Sequence, residues 1–80
     1  MIDSRNLSQL KIGQSATIEN FSDNYLSLKL LEMGCLPGEL VTLNKIAPMG
    51  DPLLITVSGY SLTLRKSEAE TVMISSEGAY

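Results

Sequence analysis

Apolar residues alternate with polar ones along most of this chain, and a helical period interrupts the alternation once. Ala16 and Ile18 point one way within Ser15–Asn20, with Phe21 ending the run, which predicts a half-buried strand. Leu40–Ile46 predicts a second strand whose alternation slips after Leu43, so a bulge is expected at Asn44–Lys45. Leu53, Ile55 and Val57 form a third, Leu62 and Leu64 a fourth, and Val72 and Ile74 a short fifth. Between the first two, Leu26, Leu30 and Met33 recur at i, i+4 and i+7 and stack on one helical face. The expected helix runs from Asn24 to Met33, capped by Ser22 or Asp23, whose side chains can accept from free first-turn N–H groups.

The breaks between these runs have their own chemistry. Gly34 sits where the chain must turn left-handed past the helix, and Pro37 cannot continue a helix. Gly38 then relieves the corner into the next strand. Pro48, Gly50, Asp51 and Pro52 fall within Ala47–Pro52, a firm loop in which Asp51 is expected to close an Asx turn. Ser58–Ser61 reads as a two-residue hairpin with Gly59 in the first central position, as a type II′ turn prefers. Leu7–Gly13 reads as one helical turn closed by Gly13, with Leu7 and Leu10 plugging one end of the sheet. Ser67–Glu70 has capping-box spacing and predicts another turn. Five short strands, one helix and two helical turns suit a small, strongly bent sheet or barrel.

The 80 residues predict one domain with a core over about 7–74 and a loose tail at 75–80. A net charge of −3 with six scattered cations disfavours a nucleic-acid partner, which is held by clustered Lys and Arg. No apolar run approaches the ~20 residues that cross a bilayer, and the first residues lack a secretory core, so no direct membrane insertion is expected. One cysteine suits a reducing cytosol.

The missing residue types narrow the chemistry further. With no histidine and one cysteine, a zinc or iron centre of N and S ligands is not expected. The nine acids are spread along the chain, so carboxylates promise at most weak Fe²⁺ binding. There is no P-loop. Cys35 has no base to activate it and reads as a buried structural thiol. No cofactor and no enzymatic activity are expected.

The motifs Leu7–Gly13, Leu30–Gly34, Leu36–Gly38, Ala47–Leu53 and Leu62–Ala69, in that order and spacing, resemble the FeoA family of small cytoplasmic proteins of bacterial ferrous-iron transport. The resemblance covers about Leu7 to Ile74. It implies an SH3-like barrel of five strands with one inserted helix, in agreement with the pattern above. It further implies an accessory or regulatory role on FeoB, a membrane permease with a cytoplasmic GTP-hydrolysing domain, and a cytoplasmic location that the permease would bring to the membrane. A related domain ends metal-dependent repressors of the diphtheria-toxin-repressor type. Eighty residues leave no room for their winged helix, so the stand-alone form is expected. Two other readings stand beside docking: a weak transition-metal-binding or sensing domain, and a homo-oligomeric assembly module.

Leu28, Leu31, Met49, Asp51, Tyr60 and Arg65 are the expected contact residues, the first two as an outer face of the helix. Each also has a structural reading: Asp51 as turn former, Met49 as loop packing, Arg65 as a solvated strand residue. Gly34, Pro37, Gly38, Pro48, Gly50 and Pro52 are read as backbone devices throughout.

Overall fold

The computed structural model describes residues 5–75. Of the expected tail at 75–80, residues 76–80 lie outside the described residues, as do the first four; Ser75 is described, and its N–H donates to the Thr17 carbonyl at 2.9 Å.

The helix α1 spans Asn24–Met33, as the period predicts. Of its two candidate caps Asp23 is used: its Oδ1 accepts from the N–H groups of Tyr25 (2.8 Å) and Leu26 (3.1 Å). Gly34 closes the helix at φ +103°, and its N–H donates to the carbonyls of Leu30 and Leu31. No atom lies within 4 Å of where a Cβ would stand, so the backbone angle alone selects glycine here. The Cys35 N–H then returns to the Leu30 carbonyl at 3.0 Å. Leu36–Glu39 closes a turn with Pro37 and Gly38 at its centre, through a 3.1 Å bond from the Glu39 N–H to the Leu36 carbonyl. Gly38 has φ +92°, which a type II turn requires at that place.

Among the described residues the sheet has six strands: β1 (Arg5–Asn6), β2 (Ser15–Phe21), β3 (Leu40–Ile46), β4 (Leu53–Val57), β5 (Tyr60–Leu64) and β6 (Val72–Ile74). All neighbours are antiparallel, in the order β1-β6-β2-β3-β4-β5. The expected count of five is one short, because β1 is two residues long and carries no alternation. β2 is shared: Ser15–Thr17 pair with β3, and Ile18–Phe21 pair with β6, with a register shift between Ile18 and Asn20. That bend wraps the sheet around its core, while β1 and β5 stay at opposite ends of the hydrogen-bonded order. The barrel is therefore open among the described residues. The expected bulge is present as a register shift between Leu43 and Lys45.

Leu7, Leu10, Ala16, Ile18, Leu30, Cys35, Val41, Leu43, Leu53, Ile55, Val57, Leu64, Ala69, Val72 and Ile74 make the buried core. The inward positions predicted for every strand are in it except Leu62, which packs half-buried against it along with Phe21, Leu26 and Met33.

Three local expectations are corrected. The first turn is a 3₁₀ turn over Leu7–Gln9 that ends at Leu10, whose N–H bonds the Leu7 carbonyl; Gly13 instead donates to Leu43 and leads into β2. The β4–β5 hairpin places Ser58 and Gly59 between the paired residues Val57 and Tyr60, with φ of +53° and +82°. Two positive angles make a type I′ turn, whose twist matches the flanking strands, and Tyr60 belongs to the strand. The second helix, α2, is Lys66–Ala69, one residue earlier than the Ser67–Glu70 turn that the spacing suggested. Glu68, three residues past the cap position, accepts from the Arg65 N–H at 2.9 Å.

Candidate functional site

The helix α1 lies beside β5, and the two run in opposite directions along a trough. At one end a cavity of about 470 Å³ is bounded by Lys29 and Met33 of α1, by Thr63 and Leu64, and by Asp51, Arg65 and Glu68. At the other end a second cavity of about 470 Å³ is bounded by Glu32, Met33, Leu36, Tyr60 and Leu62. Met33 lines both, so it divides one trough into a polar end and an apolar end.

Glu68 organises the polar end. It is 6% exposed, and its Oε2 lies 2.5 Å from the Lys29 Nζ in the one ion pair found among the described residues. Its other oxygen accepts from the Arg65 N–H. The Lys29 hydrogen bond holds the Glu68 carboxyl below its ordinary value; burial opposes this, and the Arg65 backbone bond assists. Cys35 lies nearby, fully buried. Burial, and then the Glu68 charge, push its thiol up. A thiol held in its neutral form is a poor nucleophile and a poor metal ligand.

Asp51 reaches the same end from the β3–β4 loop, and it does not close an Asx turn there. Its Oδ1 accepts at 2.9 Å from the Lys66 N–H, the first amide of α2. The loop closes through its own backbone, with the Gly50 N–H on the Ala47 carbonyl (2.7 Å) and the Ala47 N–H on the Pro52 carbonyl (3.1 Å). Pro37, Pro48, Gly50 and Pro52 all sit in such turns, and the Asp51–Pro52 peptide is cis.

The expected contact residues divide among separate places. Asp51 and Arg65 share the polar end of the trough, and Tyr60 stands at the apolar end, 70% exposed. Met49 projects from the β3–β4 loop and lines neither cavity. Leu28 is exposed on the outer side of α1, but Leu31 is half-buried. The exposed apolar pair on that side is Tyr25 and Leu28, at i and i+3. Lys29, Glu68, Met33 and Leu36 were not expected at a site. Lys29 and Glu68 are 39 positions apart, and nothing local marks either as the other's partner. Leu36 carried a signal, being an apolar residue beside a proline turn.

Among the described residues no three His, Cys, Asp or Glu side chains come close enough to hold a metal ion. No helix among them is long and apolar enough to cross a membrane.

Comparison with known proteins places this geometry. The family model described as the FeoA domain matches residues 5–76. An Fe(2+) transport protein A/Fe(2+) transporter FeoB fusion protein of Porphyromonas gingivalis is 34% identical over 69 residues. That match takes 85% of this chain and 8% of the fusion protein, so the chain spans a small part of that relative. A FeoA-like protein of Clostridium acetobutylicum superposes with a TM-score of 0.85 at 30% identity, over 94% of this chain and 88% of that one. The FeoA of Stenotrophomonas maltophilia, a procaryotic SH3-domain protein solved with zinc and put forward as a ferrous iron transport activating factor, gives 0.83 at 31% identity over 95% of each chain. The mainly-β, SH3-like architecture implied by the sequence is therefore the one found, with six strands in place of five.

Proposed function

The chain belongs to the FeoA domain family, and on that premise we propose that it is a non-enzymatic accessory protein that docks on the cytoplasmic part of a FeoB-type permease and regulates it. The observation that carries the reading is the fusion in P. gingivalis, where a segment 34% identical to this chain shares one polypeptide with FeoB. Linking two units raises their effective concentration for each other, an arrangement suited to units that meet. Membership of a transport-associated family, together with the inert environment of Cys35, supports a binding role over a catalytic one. The proposed location is the cytoplasmic face of the membrane, reached through the permease. A docked module biases its partner only by binding one of its states better than another.

The S. maltophilia complex with zinc favours a second reading, weak metal binding, which in this chain would rest on carboxylate oxygens. One experiment separates the two: an NMR titration of labelled chain with the soluble cytoplasmic domain of the permease, in GDP and in a non-hydrolysable GTP analogue, with Fe²⁺ alone in parallel. Shifts that gather on one face and differ between nucleotides support regulatory docking. Which of Leu28, Met49, Tyr60 and Arg65 respond then identifies the surface. Saturable shifts with Fe²⁺ and none with the domain would replace docking by metal binding.

A further inference from the structure

The two ends of the trough differ in how their charges are settled. At the polar end each cation has an acid to meet: Lys29 is paired with Glu68, and Arg65 shares its cavity with Asp51. At the apolar end the lining holds Glu32 and neither a lysine nor an arginine. A second carboxylate stands beside it, because the Ser58 hydroxyl bordering this cavity donates to Glu39 Oε1 at 2.7 Å. Lys29, one turn before Glu32 on α1, is held by Glu68. Neither Glu32 nor Glu39 is in an ion pair among the described residues. The same cavity is walled by Met33 and Leu36 from the end of α1 and by Tyr60 and Leu62 of β5, with Leu36 43% and Tyr60 70% exposed.

We propose that this end of the trough receives a segment of a partner's chain in which apolar side chains are flanked by Lys or Arg. On the docking reading above, on which this rests, the segment belongs to the cytoplasmic part of the permease. Covering Leu36 and Tyr60 removes apolar surface from water, and a cation beside the inserted side chains meets Glu32 and Glu39 at the rim.

The same features disfavour other occupants. An added strand has no free edge here, since Glu32 and Met33 of α1 wall the cavity that Ser61 of β5 also lines. A bilayer surface with anionic headgroups is repelled by the two carboxylates. Ligand sites bury most of what they hold, whereas two of the four apolar walls here stand open to solvent. A second copy of the chain would bring a net charge of −3 to an acidic rim.

The test is an NMR titration of the whole labelled chain with two short synthetic peptides. One alternates leucine pairs with lysines, and the other has glutamate in place of each lysine. Phosphatidylglycerol vesicles and the permease's soluble cytoplasmic domain are parallel arms. The expected result is saturable shifts at Met33, Leu36, Tyr60 and Leu62 with the lysine peptide, weakened by added salt, and none with the glutamate peptide. The domain should shift the same residues, and the lysine peptide should displace it. Tyr60→Ser and Glu32→Lys should each weaken binding about tenfold. Both residues are exposed, so the variants keep the fold. Glu32→Lys together with Glu39→Lys should transfer binding to the glutamate peptide. Equal binding of the two peptides, or of neither, overturns the proposal. So do shifts at these residues with vesicles alone, which would give the surface to lipid, or with rising concentration of the chain alone, which would give it to a second copy. Domain shifts confined to another face overturn this surface and leave docking intact. A silent domain, with the lysine peptide bound here, overturns docking and upholds the chemistry of the surface.

Discussion

Lys29 of α1 and Glu68 of α2 meet at 2.5 Å, and through them the one long helix is tied to the turn that precedes the last strand. The lysine is more than half exposed and the carboxylate is not, so the two ends of the bond carry different weight. Most of the consequence lies with Glu68, which also satisfies the Arg65 N–H.

The sign of the pH dependence follows from that environment. The folded-state carboxyl is held below the ordinary value of 4.5. In the window between the folded and unfolded values the unfolded chain therefore binds more protons, and stability rises with pH. The contribution is complete above the unfolded value and is lost as pH falls through the folded one. Glu68→Gln is expected to cost about 1–3 kcal/mol at neutral pH and to flatten the acid limb of a denaturant-midpoint profile. Lys29→Met leaves the buried carboxylate without its cation. The same limb should then move to higher pH, and a direct NMR titration of Glu68 should show its value rise.

Gly34 offers a test of backbone conformation without side-chain clash. Its φ of +103° stands in open space, so Gly34→Ala is expected to cost about 1 kcal/mol and Gly34→Val about 2–3 kcal/mol from the angle alone. In a chain of this size the valine variant should melt roughly 10 °C or more below the parent. Equal melting temperatures and equal circular dichroism for parent and valine variant would show that the helix stop does not depend on this residue.

Asp51 is expected to matter through α2 and not through its own loop. Removing its carboxylate in Asp51→Ala leaves the first amide of α2 without its acceptor, at a cost of about 1 kcal/mol. Hydrogen exchange should accelerate at Lys66. The Gly50 amide, bonded to Ala47, should keep its protection.

Cys35 should be silent toward thiol reagents in the folded chain. Burial and the Glu68 charge both favour the neutral thiol, so labelling with a chromogenic disulfide at mildly alkaline pH is expected to follow unfolding. Denaturant should accelerate it in step with the loss of structure. Prompt labelling of native protein would mean that the thiol is reachable and ionised, against its placement in the core.

Periodicity alone was enough for α1, for β3 and β4 with their bulge, and for nearly all of the core. Alternation and helical spacing state directly which face of each element meets apolar surroundings, and burial obeys that statement residue by residue. The caps at Asp23 and Gly34 were legible for the same reason, since their partners lie within a few positions in the chain. Contacts across long separations left no such mark. That Asp51 serves α2, that Glu68 pairs with Lys29, that Leu31 tucks in while Tyr25 joins Leu28 at the surface, and that α1 and β5 enclose a trough, all depend on how the sheet bends at β2. The short β1 belongs with them, because two residues form a strand only when β6 is already beside them. Sequence determined the elements, because local energetics repeats with the period of each element. Only the tertiary structure decided which polar groups meet, because a hydrogen bond between positions 29 and 68 exists once the chain between them has closed.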